Sequence, residues 1–579
     1  MGAVSTSPGT RCDFSALRQA IGDGWVEEGQ LGTIPLVRVR RAALHDCLRF
    51  LKEDPAFRLH QLTEITAVDM LYLREGDRFD LVYLLHDLRT GLRVAVKAAV
   101  PEEDPKVPTA TDLWKAANWG EREVYDQYGI IFEGHPNLKR ILNHHEFVGH
   151  PLRKDYNIYR GQWLSEAETL LDELERRRAA NPERVAARGE DPGESMILNL
   201  GPSHPASHGT LRNLVELDGE TILFCIPEIG YLHRGFEKSA ETHEYNQVIP
   251  YTDRLNYVSA ICNNVGYAKA VEELCGITVP PRCQWIRVIL CELSRIMDHL
   301  VCNAACLVDL GALTNYWYLF NLREKIYNII ESVTGARLTN SYTRIGGLWN
   351  DLTDDFVEAT RAVLRDTPHH VDDVLKLVGR NRIFLDRTVG VGVIDTDDAV
   401  SYGYTGPVLR ATGFEYDLRK ERPYYGYERF DFDVPTGHQG DCYDRIMLRF
   451  EEIKQSCRIV EQALDTLPSG PFRSDHPLAV LPDKTKTYGN IEGLVNHFKV
   501  IMHGISPPKG EVYNWTEAPN GELGFFVVSD GGMKPYKCKV RPPCFYIYAS
   551  YPQLIEGGLI ADAIATLGTL NVIAGELDR

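Results

Sequence analysis

Between residues 161 and 195 the chain changes character, and that change limits what the rest can build. The stretch WLSEAETLLDELERRRAANPERVAARGEDPGES, starting at Trp163, is crowded with Glu and Arg and ends in Pro and Gly. A segment so poor in apolar side chains cannot bury a core of its own. It opens with the capping pattern Ser165-x-x-Glu168 and sets Leu164, Ala167, Leu171 and Leu174 on one stripe, which predicts a helical, solvated tether. At 579 residues the chain exceeds one ordinary core. The expected organisation is therefore a first unit at residues 1-160, the tether at 161-195 and a second unit at 196-579.

The first unit mixes periods. FDLVYLLHDLRTGLRVAVKAAV alternates around a turn at Arg89-Thr90-Gly91 and reads as a hairpin, while DLWKAANWGEREVYDQYGI is helical with a stop at Gly129. A small α+β domain is expected. The stretch GHPNLKRILNHHEFVGHPLRKDY holds His135, His144, His145 and His150 among G-H-P turns without a nearby cysteine or carboxylate cluster, so they read as structural and the unit as a docking module.

The second unit opens on LNLGPSHPASHGTLRNLVELDGE. Histidines at i and i+4 suggest a shared metal on a helix, but Pro202, Pro205 and Gly209 break any helix here. Met196–Leu200 and Leu211–Leu217 read as paired strands closed by Asp218-Gly219, with His204 and His208 on the loop between them. Long helices then take over. NNVGYAKAVEELCG ends at Gly276; a run from Pro281 repeats Ile286, Ile289, Leu293, Met297, Leu300, Ala304 and Leu307; a third runs from about Asn315 to Gly335. Such helices pack on one another, so a helix bundle is the expected core.

Composition narrows the function. A net charge of −18, from 81 acidic and 63 basic side chains, repels phosphates and argues against nucleic acid as a partner. No apolar run is long enough to cross a bilayer, and the N-terminus lacks the layout of a signal peptide. Thirteen cysteines without a C-x-x-C pair argue against a cluster or structural zinc held by this chain, and no G-x-G-x-x-G fingerprint marks a dinucleotide site. No metal site is expected.

In the first unit, GEREVYDQYGIIFEGHPNLKRIL followed by FVGHPLRKDY resembles the C subunit of NADH:quinone oxidoreductase, respiratory complex I. The second unit resembles the D subunit along nearly its whole length, through GPSHPASHG, GYLHRGFEK, YTDRLNYVS, LCELSRIMDHL, DLGALT, GYTGPVLRATG, DFDVPTGHQGDCYDR, GELGFFVVSDGG and GELDR. Asn571 stands where aspartate is common. The chain thus looks like the fused C/D form found in some bacteria. The resemblance implies an α+β fold: a small α+β domain like the C subunit, then a mainly α domain like the large subunit of hydrogenases, with a β-hairpin region at its start.

The resemblance also implies an activity. The D subunit is related to the large subunit of nickel–iron hydrogenases, which hold nickel with two C-x-x-C pairs; this chain has neither. The hydrogenase alternative is disfavoured on that ground, and a scaffold without chemistry is the other alternative. What the resemblance implies is quinone reduction, with quinone as substrate, no tightly bound cofactor on this chain, and FMN and iron–sulfur clusters on partner subunits. Those partners are the iron–sulfur B subunit, the I subunit and membrane-arm subunits such as H and A. The implied place is the cytoplasmic side of the inner membrane, held peripherally.

By the same resemblance His208 and Tyr257 contact the quinone headgroup, Asp309 supports His208, His204 is a supporting residue at the headgroup, and Arg234 lies near the partner's cluster. The chemistry suits them: a quinone becomes a quinol with two electrons and two protons, and an imidazole and a phenol can each hydrogen-bond a carbonyl oxygen and release a proton to it. Asp298 and Asp309 are eleven apart, which on an unbroken helix returns nearly to the same face. That face, with Arg295, Cys302 and Cys306, reads as a charged track, or more simply as an ion pair between Arg295 and Asp298.

Overall fold

The structure is a computed structural model that describes residues 12–159, 161–164, 170–186 and 195–579. The expected cap at Ser165 and Glu168, with Ala167, lies outside them.

The first unit is built on a five-stranded sheet in the order Trp25–Leu31, Ile34–Val39, Leu92–Val100, Phe79–Asp87, Gln61–Asp69. The expected hairpin is its centre: Phe79–Asp87 pairs antiparallel with Leu92–Val100 across the Arg89–Gly91 turn. Helix Ala117–Tyr128 lies on strand Gln61–Asp69 and stops where Gly129 takes φ +79°, the left-handed cap that glycine adopts without a Cβ clash.

Every residue of Gln61–Asp69 and of Phe79–Asp87 is buried. The second unit covers the other face. Its three-stranded sheet, Gly510–Ala518, Gly521–Ser529 and Lys537–Arg541, sits against the first sheet. Polar residues are paired across this joint. Arg93 donates to both oxygens of Glu522 at 2.8 and 2.6 Å, and Arg541 donates to the Thr63 carbonyl. Tyr546 donates to Glu64 at 2.9 Å, and Glu123 pairs with both Lys539 and Arg579. One apolar cluster runs from Val37, Leu81 and Trp119 to Leu409, Phe545 and Leu577.

The tether is not a solvated connector throughout. Helix Leu171–Ala180 buries Leu174, and Leu170 and Leu174 pack on Leu214, Phe224 and Ile226 of the second unit. Arg178 is bidentate on Glu216, and Arg177 and Arg184 both reach Glu556. The Arg-rich run that suggests solvation is largely engaged in holding carboxylates.

The second unit opens with strands Met196–Leu200, Arg212–Asp218 and Thr221–Glu228, antiparallel in chain order. Three helices follow as their patterns predict: Ala260–Cys275, Pro281–Asp309 and Leu313–Thr334. The first and third end on glycines with positive φ, Gly276 and Gly335. The second is unbroken over 29 residues, and every position of its predicted apolar stripe is buried. It forms the axis of the bundle, packed against Leu313–Thr334, Cys442–Asp465 and Ile560–Leu570. Among the described residues no helix is long and apolar enough to cross a membrane.

Candidate functional site

The site grows from two places where the chain is forced out of regular structure. The first is the loop between strands Met196–Leu200 and Arg212–Asp218. Gly201 takes φ +96°, and a Cβ there would stand 1.6 Å from the Leu211 carbonyl oxygen, so only glycine lets the strands close beneath the loop. Pro205–Ser207 makes one tight helical turn, and the buried Ser207 hydroxyl has the carbonyls of His204 and Gly209 at 2.6 and 2.7 Å to donate to. His208 follows with φ +53°, a conformation that costs a non-glycine residue energy and must be held by its surroundings.

What holds it is the end of the long helix. His208 Nε2 lies 2.5 Å from Asp309 Oδ2, and the two side chains are 19% and 22% exposed. Asp309 is the last residue of Pro281–Asp309, where the helix dipole disfavours an anion; an imidazolium relieves that cost. Burial disfavours charge on His208, but the hydrogen bond and the negative charge of Asp309 outweigh it, and the net effect is a raised pKa. Gly568, on helix Ile560–Leu570, packs against the pair. A Cβ there would meet Cys306 Sγ at 3.2 Å, His208 Nε2 at 3.5 Å and Asp309 Oδ2 at 3.6 Å.

The second place is the turn Tyr257–Ser259, just before helix Ala260–Cys275. Asn256 Oδ1 accepts from Val258 N and so caps the turn, and Asn256 Nδ2 donates to Asp298 at 2.7 Å. The other oxygen of Asp298 accepts from Asn571 at 2.7 Å. Tyr257 is 46% exposed, and its pKa is raised first by burial of the ring's inner side and then by the charge of Asp298.

One face of the long helix thus fixes both predicted contacts, Asp298 through the turn that bears Tyr257 and Asp309 through His208. The predicted ion pair between Arg295 and Asp298 is absent. Arg295 turns the other way, to Glu292 at 3.2 Å and the Glu517 carbonyl at 2.6 Å, because Asp298 is already satisfied by two amides.

The remaining predicted residues stand apart. His204 is exposed at the rim of the same loop. Arg234 is exposed and donates to the Arg254 carbonyl at 2.9 Å, beside a second guanidinium. His135 and His150 bond main-chain carbonyls of Asn118 and Asp126, as turn residues do. Among the described residues no three His, Cys, Asp or Glu side chains are grouped so as to hold a metal ion. Sequence reasoning missed Gly568 and Asn256. Neither carries a signal of its own, since a lone glycine in an apolar helix and an asparagine before a tyrosine are ordinary.

The β-rich first unit and the largely helical second unit are those of the respiratory-chain NADH dehydrogenases. Residues 37–162 match the family described as "Respiratory-chain NADH dehydrogenase, 30 Kd subunit", and residues 309–579 match "Respiratory-chain NADH dehydrogenase, 49 Kd subunit". The chain is 51% identical over 532 residues to the NADH-quinone oxidoreductase C/D subunit of Bdellovibrio bacteriovorus, covering 92% of this chain and 93% of that one. It is 40% identical over 564 residues to the protein of the same name from Psychrobacter arcticus, covering 96% and 95%. For that of Acinetobacter baumannii the identity is 39% over 573 residues, covering 97% and 96%. The chain belongs to the family of NADH-quinone oxidoreductase C/D subunits, the fused form of two complex I subunits.

Proposed function

We propose that this subunit forms the quinone-reducing site of complex I, with His208 and Tyr257 on the quinone headgroup and Asp309 keeping His208 charged and oriented. The observation that carries the reading is the 2.5 Å contact between His208 Nε2 and Asp309 Oδ2 on a loop that is otherwise strained. Electrons arrive from an iron–sulfur cluster of the partner B subunit, and this chain's residues handle the protons. As charge builds on the two carbonyl oxygens, the His208 imidazolium releases a proton to one and the Tyr257 phenol to the other. Asp309 then stabilises the charge when His208 is reprotonated.

On this chain alone the site is open, with Tyr257 nearly half exposed. A cleft of about 190 Å³ lies elsewhere, lined by Lys139, His144, Leu170 and Tyr231. The iron–sulfur subunit therefore supplies the missing wall of the quinone cavity. The exposed pair Arg234 and Arg254 suits that contact, since a guanidinium near a cluster raises the cluster's potential. His204 supports the rim. The assembly is peripheral on the cytoplasmic side of the inner membrane, with the I, H and A subunits as further neighbours and FMN on a distant subunit.

The test is steady-state turnover of the assembled complex bearing His208→Ala or Tyr257→Phe, with a short-chain quinone and, separately, a water-soluble acceptor of electrons from NADH. Both variants should reduce the soluble acceptor normally and the quinone slowly. Parental quinone rates in both would leave the loop a mere turn.

A further inference from the structure

Directly beneath His208 lies a pair of thiols that the proposed chemistry does not use. Cys302 and Cys306 are four apart on the same face of the long helix as Asp298 and Asp309, and i,i+4 side chains on a helix are neighbours. The two thiols interact side chain to side chain, and Cys302 Sγ also approaches the Gly568 carbonyl at 3.7 Å. The position above Gly568 that brings Cys306 Sγ within 3.2 Å has His208 Nε2 and Asp309 Oδ2 within 3.6 Å. The pair is therefore buried, but its roof is a loop whose histidine is partly open to solvent.

The hydrogen bond from Cys306 lowers the Cys302 pKa, and burial opposes it. Burial pushes the thiols of Cys47, Cys225 and Cys538 up. Cys302 is thus inclined toward the nucleophilic thiolate.

A disulfide does not suit this pair. It needs Cβ atoms about 3.8 Å apart, whereas i,i+4 Cβ atoms on a straight helix stand about 5–6 Å apart. A bridge through one further atom fits that gap without unwinding the helix. We propose that Cys302 and Cys306 form a vicinal dithiol site for trivalent arsenicals at the floor of the His208 loop. The reaction is R–As=O plus two thiols giving R–As(S–)2 and water. Two S–H bonds and the As=O bond break, two As–S bonds form, both protons leave on the oxygen, and no oxidation state changes. Capture itself is independent of the quinone reading; its effect on turnover rests on that reading, because a group inserted beneath His208 displaces the ring from Asp309.

The experiment treats the assembled complex in membranes with phenylarsine oxide and maps adducts by peptide mass. The expected result is one bridged adduct on the peptide holding Cys302 and Cys306. Quinone reduction should fall about tenfold or more, the scale of one lost hydrogen bond, while the soluble-acceptor rate persists. Dimercaptopropanol should reverse the loss and mercaptoethanol should not. Cys306→Ser should abolish both the adduct and the sensitivity to arsenical; if that variant does not assemble, the wild-type mass map and the reversal decide. No adduct on this pair, or an adduct on Cys262 and Cys291, which also interact in the bundle, overturns the proposal. An adduct at Cys302 and Cys306 with undiminished quinone reduction leaves the dithiol site standing and counts against the role given to His208.

Discussion

Replacing Asp309 by asparagine tests the site most sharply, because it preserves shape and removes one charge. In the parent, burial would push the His208 pKa below the ordinary 6.5 or so, and the pair with Asp309 reverses the sign. A group whose pKa is raised holds its proton below that value and loses it as pH climbs through it. In Asp309→Asn the carboxylate's charge is gone and burial is opposed only by the weaker influence of Cys302, so the proton is lost at lower pH and the alkaline limb of quinone reduction should move down. The contact at 2.5 Å, about four-fifths shielded from water, is a charge-assisted hydrogen bond of about 1.5–3 kcal/mol. If it is felt in the transition state, quinone turnover at neutral pH falls by about one to two decades. The assay is steady-state quinone reduction against pH, beside the soluble-acceptor rate. Superimposable alkaline limbs for parent and variant would refute the argument, even if the overall rate drops.

Gly568→Ala should lower quinone turnover moderately and Gly568→Val severely, since the first Cβ already crowds Cys306 and reaches van der Waals contact with His208, leaving no room for two further methyls; rates of the assembled variants check this. Glu522→Gln should destabilise the joint by about 3–5 kcal/mol, because it leaves the Arg93 guanidinium buried without its anion, which a thermal melt of the subunit reads. Burial opposes ionisation of Glu522, but the charge of Arg93 outweighs it and brings the pKa down to about 2. The pair's contribution is therefore full above the unfolded carboxylate's value of about 4.3 and is lost as acid carries the pH down toward 2; acid unfolding of parent against variant shows the difference. Severing the chain between residues 187 and 194 and co-expressing the pieces should still yield an assembled, active complex, because the joint rests on buried pairs and a shared apolar cluster; co-purification and quinone turnover test it.

The helical part of this architecture was legible because its signals are local. The stripe from Ile286 to Leu307 and the stops at Gly129, Gly276 and Gly335 depend only on residues a few positions apart. The pairing of His208 with Asp309 spans 101 positions, and nothing in spacing discloses it; it came from resemblance alone. The burial of both faces of the first sheet was not legible for a related reason. Lys97 is polar in sequence yet buried, because a covering sheet more than 400 positions away supplies Glu511 as its partner. Charge content misled in the same way at the tether, where Arg177 and Arg178 face carboxylates of the second unit.

The joint between the two units bears on how the complex is made. With Glu123 held by Lys539 and Arg579 amid an apolar cluster shared across the joint, neither unit can present that surface to water without exposing apolar side chains. Two separate polypeptides with such surfaces would have to find each other at cellular dilution, each exposed to aggregation meanwhile. One polypeptide carries its partner at an effective concentration set by the tether, in the millimolar range for a short flexible one, and the ribosome delivers both in equal number. Fusion here changes the kinetics and stoichiometry of supply.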